Sequence, residues 1–183
     1  RHGIDTLKLQ ILLHRFASVK VCVVGDLIID EYITCQPLGM SQEDPTIVVT
    51  PIDSARFIGG AGIVAAHAAG MGAQVQFVSV TGVDAPREFA QLELAAVGLT
   101  ARLLDDDSRP TTLKQRYRCK GKTLLRVSHL HQGAISAKLQ ARILEQIEEG
   151  IQGAELLVFS DFNYGCLPQP VVDKATAMAK ARG

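Results

Sequence analysis

The chain lacks a net charge. Its 183 residues carry 19 Lys and Arg against 19 Asp and Glu, so no global field recruits nucleic acid or an anionic membrane, and electrostatic recognition has to be local. Aromatics make up 5%, without the set of stacking rings among cations that single-stranded nucleic acid uses. The four cysteines (Cys22, Cys35, Cys119 and Cys166) are far apart and contain no Cys-x-x-Cys pair, as expected of reduced thiols in a cytoplasmic protein. No apolar run approaches the roughly 18 residues that span a bilayer, and no leader with a cleavage site is visible, so no membrane partner is expected. Internal repeats and low-complexity tracts are missing too. The chain starts at Arg1 rather than Met, as a trimmed chain or part of a longer one would.

What is present is an alternation of two periods. At 47% hydrophobic residues, the chain is long enough for one core, and one domain is the default. Ile4, Leu7, Ile11, Leu12 and Phe16 have helical spacing, and VKVCVVGD (Val19 to Asp26) reads as a buried parallel strand stopped by glycine. Val75 to Gly82 reads as a second core strand, followed by a helix that Asp84 caps and Gly98 ends. Ser136 opens a helix to about Glu149, Ala154 to Asp161 is a third core strand, and Pro170 to Arg182 a last helix. The order predicts an α/β fold, a mostly parallel sheet with helices on both faces.

Two segments, Ile28 to Thr50 and Thr111 to Ser128, are strand-like but polar at alternate positions. They predict a small separate sheet, a β lid over the carboxyl ends of the core strands, where open α/β sheets bind ligands. The chain stops at KARG, where the alternation would next supply a strand, so the sheet is expected to be the first half of a larger one.

Candidate functional residues fall at the joints of this pattern. FIGGAGIVAAHAAGMGA (Phe57 to Ala73) places Gly59, Gly60 and Gly62 at a helix mouth and fills the helix with alanine. Either a ligand approaches the exposed N–H groups or the helix lies close against a sheet. Asp26, Asp30 and Asp161 follow core strands, suited to hydroxyls of a polyol or to turns and caps. Lys114, Arg116, Arg118, Lys120 and Lys122 alternate, so an extended segment would set all five cations on one face, as an anion site or as a charged edge strand.

Other motifs fail on context. Gly121, Lys122 and Thr123 imitate the end of a phosphate loop, but Arg116 stands where its first glycine is required. Gly60, Gly62 and Ala65 imitate a dinucleotide fingerprint some 35 residues after the strand it should follow. His129 and His131 have no clear third metal ligand, and Asp105 to Asp107 reads as a solvated loop.

GDLIIDEY, IGGAGIVAAHAAGMGA, RPTTLKQRYRCKGKTLLRV and LLVFSDFNYGCL, in that order, resemble the ribokinase-like (PfkB) carbohydrate kinases over roughly Val19 to Gly183. Within that family the likeness is to the heptose 7-phosphate kinase domain of the ADP-heptose pathway, whose RPTT-x-K-x-R and LLR elements are nearly reproduced. The resemblance implies that residues 1–183 are the N-terminal portion of a kinase domain, with lid strands within 28–50 and 111–128, that moves the γ-phosphate of ATP to a sugar hydroxyl with Mg2+. Asp30, Gly59 and Gly60 would hold sugar hydroxyls, Lys114 and Arg116 would meet a sugar phosphate near the lid, and Asp161 would line the same pocket. The lid would also make a homodimer contact.

The glycine-rich anion hole, the catalytic aspartate and most of the nucleotide site belong to a C-terminal half that these residues do not include, so no catalytic residue is expected here and this segment alone is expected to be inactive. Two further departures stand in the pattern: Ile63 replaces a sugar-binding asparagine, and Tyr164 replaces a lysine. Rival readings are a non-catalytic sugar-phosphate sensor or interaction module derived from such a kinase, and a dinucleotide-dependent oxidoreductase.

Overall fold

A computed structural model describes residues 3–182. Strand β1 (Lys20–Gly25) is apolar on both sides because it is covered on both sides. Val21 and Val23 point into one buried cluster, and Cys22 and Val24 into another. It is flanked by β4 (Gln74–Thr81) and β8 (Leu156–Ser160), with β5 (Thr100–Asp105) beyond β4, giving a parallel sheet in the order β5-β4-β1-β8.

Helices α2 (Gly60–Gly70) and α3 (Ala85–Ala96) cover one face through Ala61, Ala65, Ala90 and Leu94. Helices α4 (Ala137–Gly150) and α5 (Gln169–Lys180) cover the other through Ile143, Ile147, Val171 and Ala175. The helix starts follow from their caps: Asp84 Oδ1 accepts from Arg87 N at 3.1 Å, and Ser136 Oγ from Leu139 N at 3.3 Å. Gly98, at φ +74, ends the α3 segment in the left-handed region.

The α/β expectation holds, with one strand more than the sequence reading supplied. Strand β5 escaped it because an edge strand need not be apolar throughout. Arg102 is exposed, and only Leu104 is fully buried.

The second sheet has the order β3-β2-β6-β7, from β2 (Leu27–Met40), β3 (Ile47–Gly59), β6 (Thr112–Cys119) and β7 (Lys122–His129). Strand β2 is antiparallel to β3 and parallel to β6, and β6 is antiparallel to β7. The strand structure continues past the predicted limit at Thr50 to Gly59, so Ser54 to Phe57 belong to the second sheet. Strand β2 leaves directly from the carboxyl end of β1, and β3 returns directly into α2, which fixes the second sheet at that end of the core. Beyond the last β6 partner, Thr34↔Arg118, the β2–β3 pair runs on as a two-stranded arm to Met40↔Ile47.

Helix α1 (Thr6–Phe16) has the predicted spacing, capped by Asp5. None of its residues is buried.

Candidate functional site

The site is assembled around a buried carboxylate. Asp26, 4% exposed at the end of β1, gathers the loop after β8. Its Oδ2 accepts from Phe162 N at 2.9 Å and Tyr164 N at 3.1 Å, and its Oδ1 from Cys166 N at 3.1 Å. Burial pushes the Asp26 carboxyl above its ordinary value despite the opposing pull of those three amides, and the nearby Asp161 charge pushes the same way. With its acceptor capacity directed at backbone, Asp26 shapes the loop.

That loop turns two aromatic rings toward the second sheet. The Lys114 ammonium lies 4.9 Å from the Tyr164 ring centre and 5.8 Å from that of Phe162, within cation–π range. One strand inward, Asp30 pairs with Lys114 in register, and its Oδ1 accepts from Arg116 Nη1 in a half-buried ion pair. The Arg116 and Arg118 guanidinium groups stack over Tyr32 at 5.1 and 5.6 Å. Arg126 stands opposite Arg116, and Ser128 opposite Lys114. A cleft of about 210 Å³ is lined by Lys114, Arg116, Arg126, Ser128 and Tyr164, with Gln115 at its wall. It can neutralise an anion and accept hydroxyl hydrogen bonds at one place.

The opposite face of this sheet is occupied by the protein's own polar groups. Arg56 Nε donates to Glu31 at 2.7 Å, Gln115 Nε2 donates to the same carboxylate at 2.7 Å, and His129 Nε2 bonds Gln115 Oε1 at 3.1 Å. Burial alone would raise the Glu31 carboxyl, but the hydrogen bonds from Gln115 and Arg56 and the Arg56 charge hold it below its ordinary value.

The structure thus groups Asp30, Gly59, Lys114 and Arg116. Gly59 caps α2 without a side chain, and a Cβ there would lie 2.4 Å from Asp30 Oδ2. Gly60, at φ +56, would put a Cβ 2.3 Å from Asp26 O. The room at both glycines is taken by the protein's own Asp30 and Asp26. Asp161 is exposed, and its Oδ1 accepts from Asn163 N at 2.7 Å within its own loop.

The five-cation face is corrected to three. Lys120 and Gly121 have φ of +45 and +80, a two-residue hairpin turn that ends β6 at Cys119. Lys114, Arg116 and Arg118 remain aligned on β6, while Lys122 starts the returning strand. The sequence reading missed Arg126, Ser128 and Phe162. A hairpin at Lys120-Gly121 alone would set Leu125 opposite Arg116; a one-residue register shift between Tyr117 and Arg118 brings Arg126 there instead, and no turn residue announces that shift. Among the described residues, no three His, Cys, Asp or Glu side chains cluster as metal ligands.

No family model matches the chain. The bifunctional protein HldE of Rhodopseudomonas palustris strain BisB5 is 31% identical over 175 residues, covering 94% of this chain and 36% of its own length. The carbohydrate kinase from Agrobacterium tumefaciens superposes with TM-score 0.63 at 16% identity, over 89% of this chain and 50% of that one. Phosphofructokinase-2 from Escherichia coli, solved in complex with fructose-6-phosphate, gives 0.63 at 16% identity, over 91% and 52%. The chain is similar in sequence to the HldE proteins and has the ribokinase-like fold of sugar kinases. It spans about a third of the length of the curated relative and about half of the solved ones.

Proposed function

We propose that this sugar-kinase-like chain is the substrate-side part of an ATP-dependent kinase acting on a sugar or sugar phosphate, with D-glycero-D-manno-heptose 7-phosphate the nearest candidate. The observation that supports this best is the facing pair Arg116 and Arg126 beside Lys114. Like charges directly opposite across a strand pair destabilise it; Asp30 balances the Arg116 charge, and an anionic guest would balance those of Arg126 and Lys114. Arginine binds phosphate bidentately and lysine adds a point charge. Asp30, two strands from Arg126, is placed to accept a sugar hydroxyl in exchange for Arg116.

Within this reading the fold's kinase chemistry needs ATP and Mg2+. On this reading the nucleotide, metal and catalytic groups lie in the part of such kinases that residues 1–183 do not span. The part played by these residues is to bind, orient and neutralise the substrate. The β2–β3 arm is the proposed homodimer contact and the cytoplasm the proposed compartment.

Full-length protein assayed with ATP against a panel of sugars and sugar phosphates tests the reading. Turnover of a phosphorylated sugar is expected, with Lys114→Met and Arg126→Met each raising KM about tenfold or more, as loss of a charge-assisted hydrogen bond of ~1.5–3 kcal/mol implies. Absence of phosphorylation across the panel sinks the kinase reading. One observation favours the alternative, a non-catalytic sensor: Ile63, half-buried in the first turn of α2, cannot hydrogen-bond a sugar. Sugar-phosphate binding without turnover in the full-length chain would select it.

A further inference from the structure

The RPTT segment, distinctive in sequence, contributes one residue whose work lies elsewhere. The side chain of Arg109 is 6% exposed and forms an ion pair with Asp106, whose side chain is 7% exposed, through Nε at 2.6 Å. The other two nitrogens diverge: Nη1 donates to Tyr164 O at 3.0 Å and Nη2 to Gly133 O at 3.2 Å. Asp106 is itself fixed by Ser108, whose N–H and hydroxyl both donate to Oδ1. One guanidinium therefore ties together the β5–β6 connection, the segment before α4 and the loop after β8.

That loop needs tying. Asn163 and Gly165 have φ of +61 and +88, and a Cβ on Gly165 would sit 2.0 Å from Gly133 O. Asparagine tolerates the left-handed region, so the constraint on this loop lies at Gly165, which is packed against Gly133 O. Tyr164, between Asn163 and Gly165, is held by both of its backbone polar groups: Asp26 takes its N–H and Arg109 its C=O. Its ring is the nearer of the two under the Lys114 ammonium.

We infer that Arg109 is a positioning residue: by forking to the carbonyls of Tyr164 and Gly133 it sets the Tyr164 ring under Lys114 and so fixes the cation at the mouth of the phosphate cleft. A single charge cannot replace it, because the task is two directed N–H bonds in addition to the Asp106 pair. The inference rests on the sugar-phosphate reading for what the cleft binds, but the placement of the ring is testable without any ligand.

The test is 19F NMR of the full-length protein labelled with 3-fluorotyrosine. The signals of Tyr32, Tyr117 and Tyr164 are assigned by Tyr→Phe variants, and Lys114→Met identifies the contribution of the ammonium to the Tyr164 shift. Arg109→Lys keeps the charge and the reach to Asp106 but loses the fork. It is expected to move the Tyr164 signal toward the position of free fluorotyrosine while Tyr32 and Tyr117 stay in place, and Arg109→Gln to do the same. A Tyr164 signal unchanged in Arg109→Lys overturns the inference, since charge alone would then suffice. Collapse of all three signals in both variants also overturns it, making Arg109 a general stabiliser. A kinase assay that fails while the Tyr164 shift behaves as stated sinks the functional reading and leaves the clamp intact.

Discussion

At the residue scale, the glycines at the mouth of α2 separate two causes that sequence alone confounds. Gly60 and Gly98 both have positive φ, +56 and +74, but a Cβ on Gly60 would meet Asp26 O at 2.3 Å and Ile28 Cγ1 at 2.9 Å, whereas nothing lies within 4 Å at Gly98. Gly98→Ala is therefore expected to cost only the left-handed backbone penalty, about 1–2 kcal/mol. Gly60→Ala adds overpacking, typically about 1–3 kcal/mol, and displaces the carbonyl of the residue that organises the Tyr164 loop. Urea unfolding checks this. Gly60→Ala should lower the midpoint well beyond Gly98→Ala at unchanged m-value, and equal midpoints would show that the close contacts relax without cost.

At the element scale, what the sequence made legible follows from burial. Strands β1 and β4 are covered on both faces and announce themselves as apolar runs, while Asp84 and Ser136 mark helix starts by their caps. Strand β5, half covered, has no such run, and β3 is mostly exposed. The candidate site was legible where alternation alone sufficed, at Lys114 and Arg116. It was illegible where partners meet across a turn or between loops, as for Arg126, Phe162 and Arg109, because register and long-range loop contacts are tertiary facts.

The β2–β3 arm makes the next prediction. Two strands alone are marginal in water, yet Leu38, Met40, Ile47 and Ile52 are 65%, 65%, 49% and 62% exposed on it. A homodimer that covers the arm resolves this. Sedimentation of the full-length protein is expected to show a dimer, and Met40→Lys with Ile47→Lys to convert it to monomer with the core sheet intact by circular dichroism. A wild-type monomer at micromolar concentration would exclude the arm as a dimer contact.

At the scale of the whole molecule, three buried carboxylates make stability depend on pH with a definite sign. Asp106 is held below its ordinary 3.8: burial raises it, but the Ser108 hydrogen bonds and the Arg109 bond and charge outweigh that. Glu31 is held below 4.5 in the same manner. For both, the unfolded chain binds the proton more readily, so their stabilisation is complete above the ordinary values and is lost as pH falls through the lower folded ones. Asp26 has the opposite sign. Its folded value is raised above 3.8, so its contribution declines as pH rises through that window and partly offsets the acid limb.

Removing one partner of a buried pair leaves the other charge uncompensated, at a cost of roughly 3–5 kcal/mol. Asp106→Asn in the full-length protein is therefore expected to lower Tm at pH 7 by roughly 6–20 °C for a domain of this size. Because Asn does not titrate there, the gap from wild type should narrow steadily as pH is taken below 3.8. Thermal melts between pH 7 and pH 3 measure both quantities. A gap that stays constant across that range would mean that the Asp106 carboxylate charge does not hold the β5–β6 connection to the loop after β8, and that packing holds them together instead.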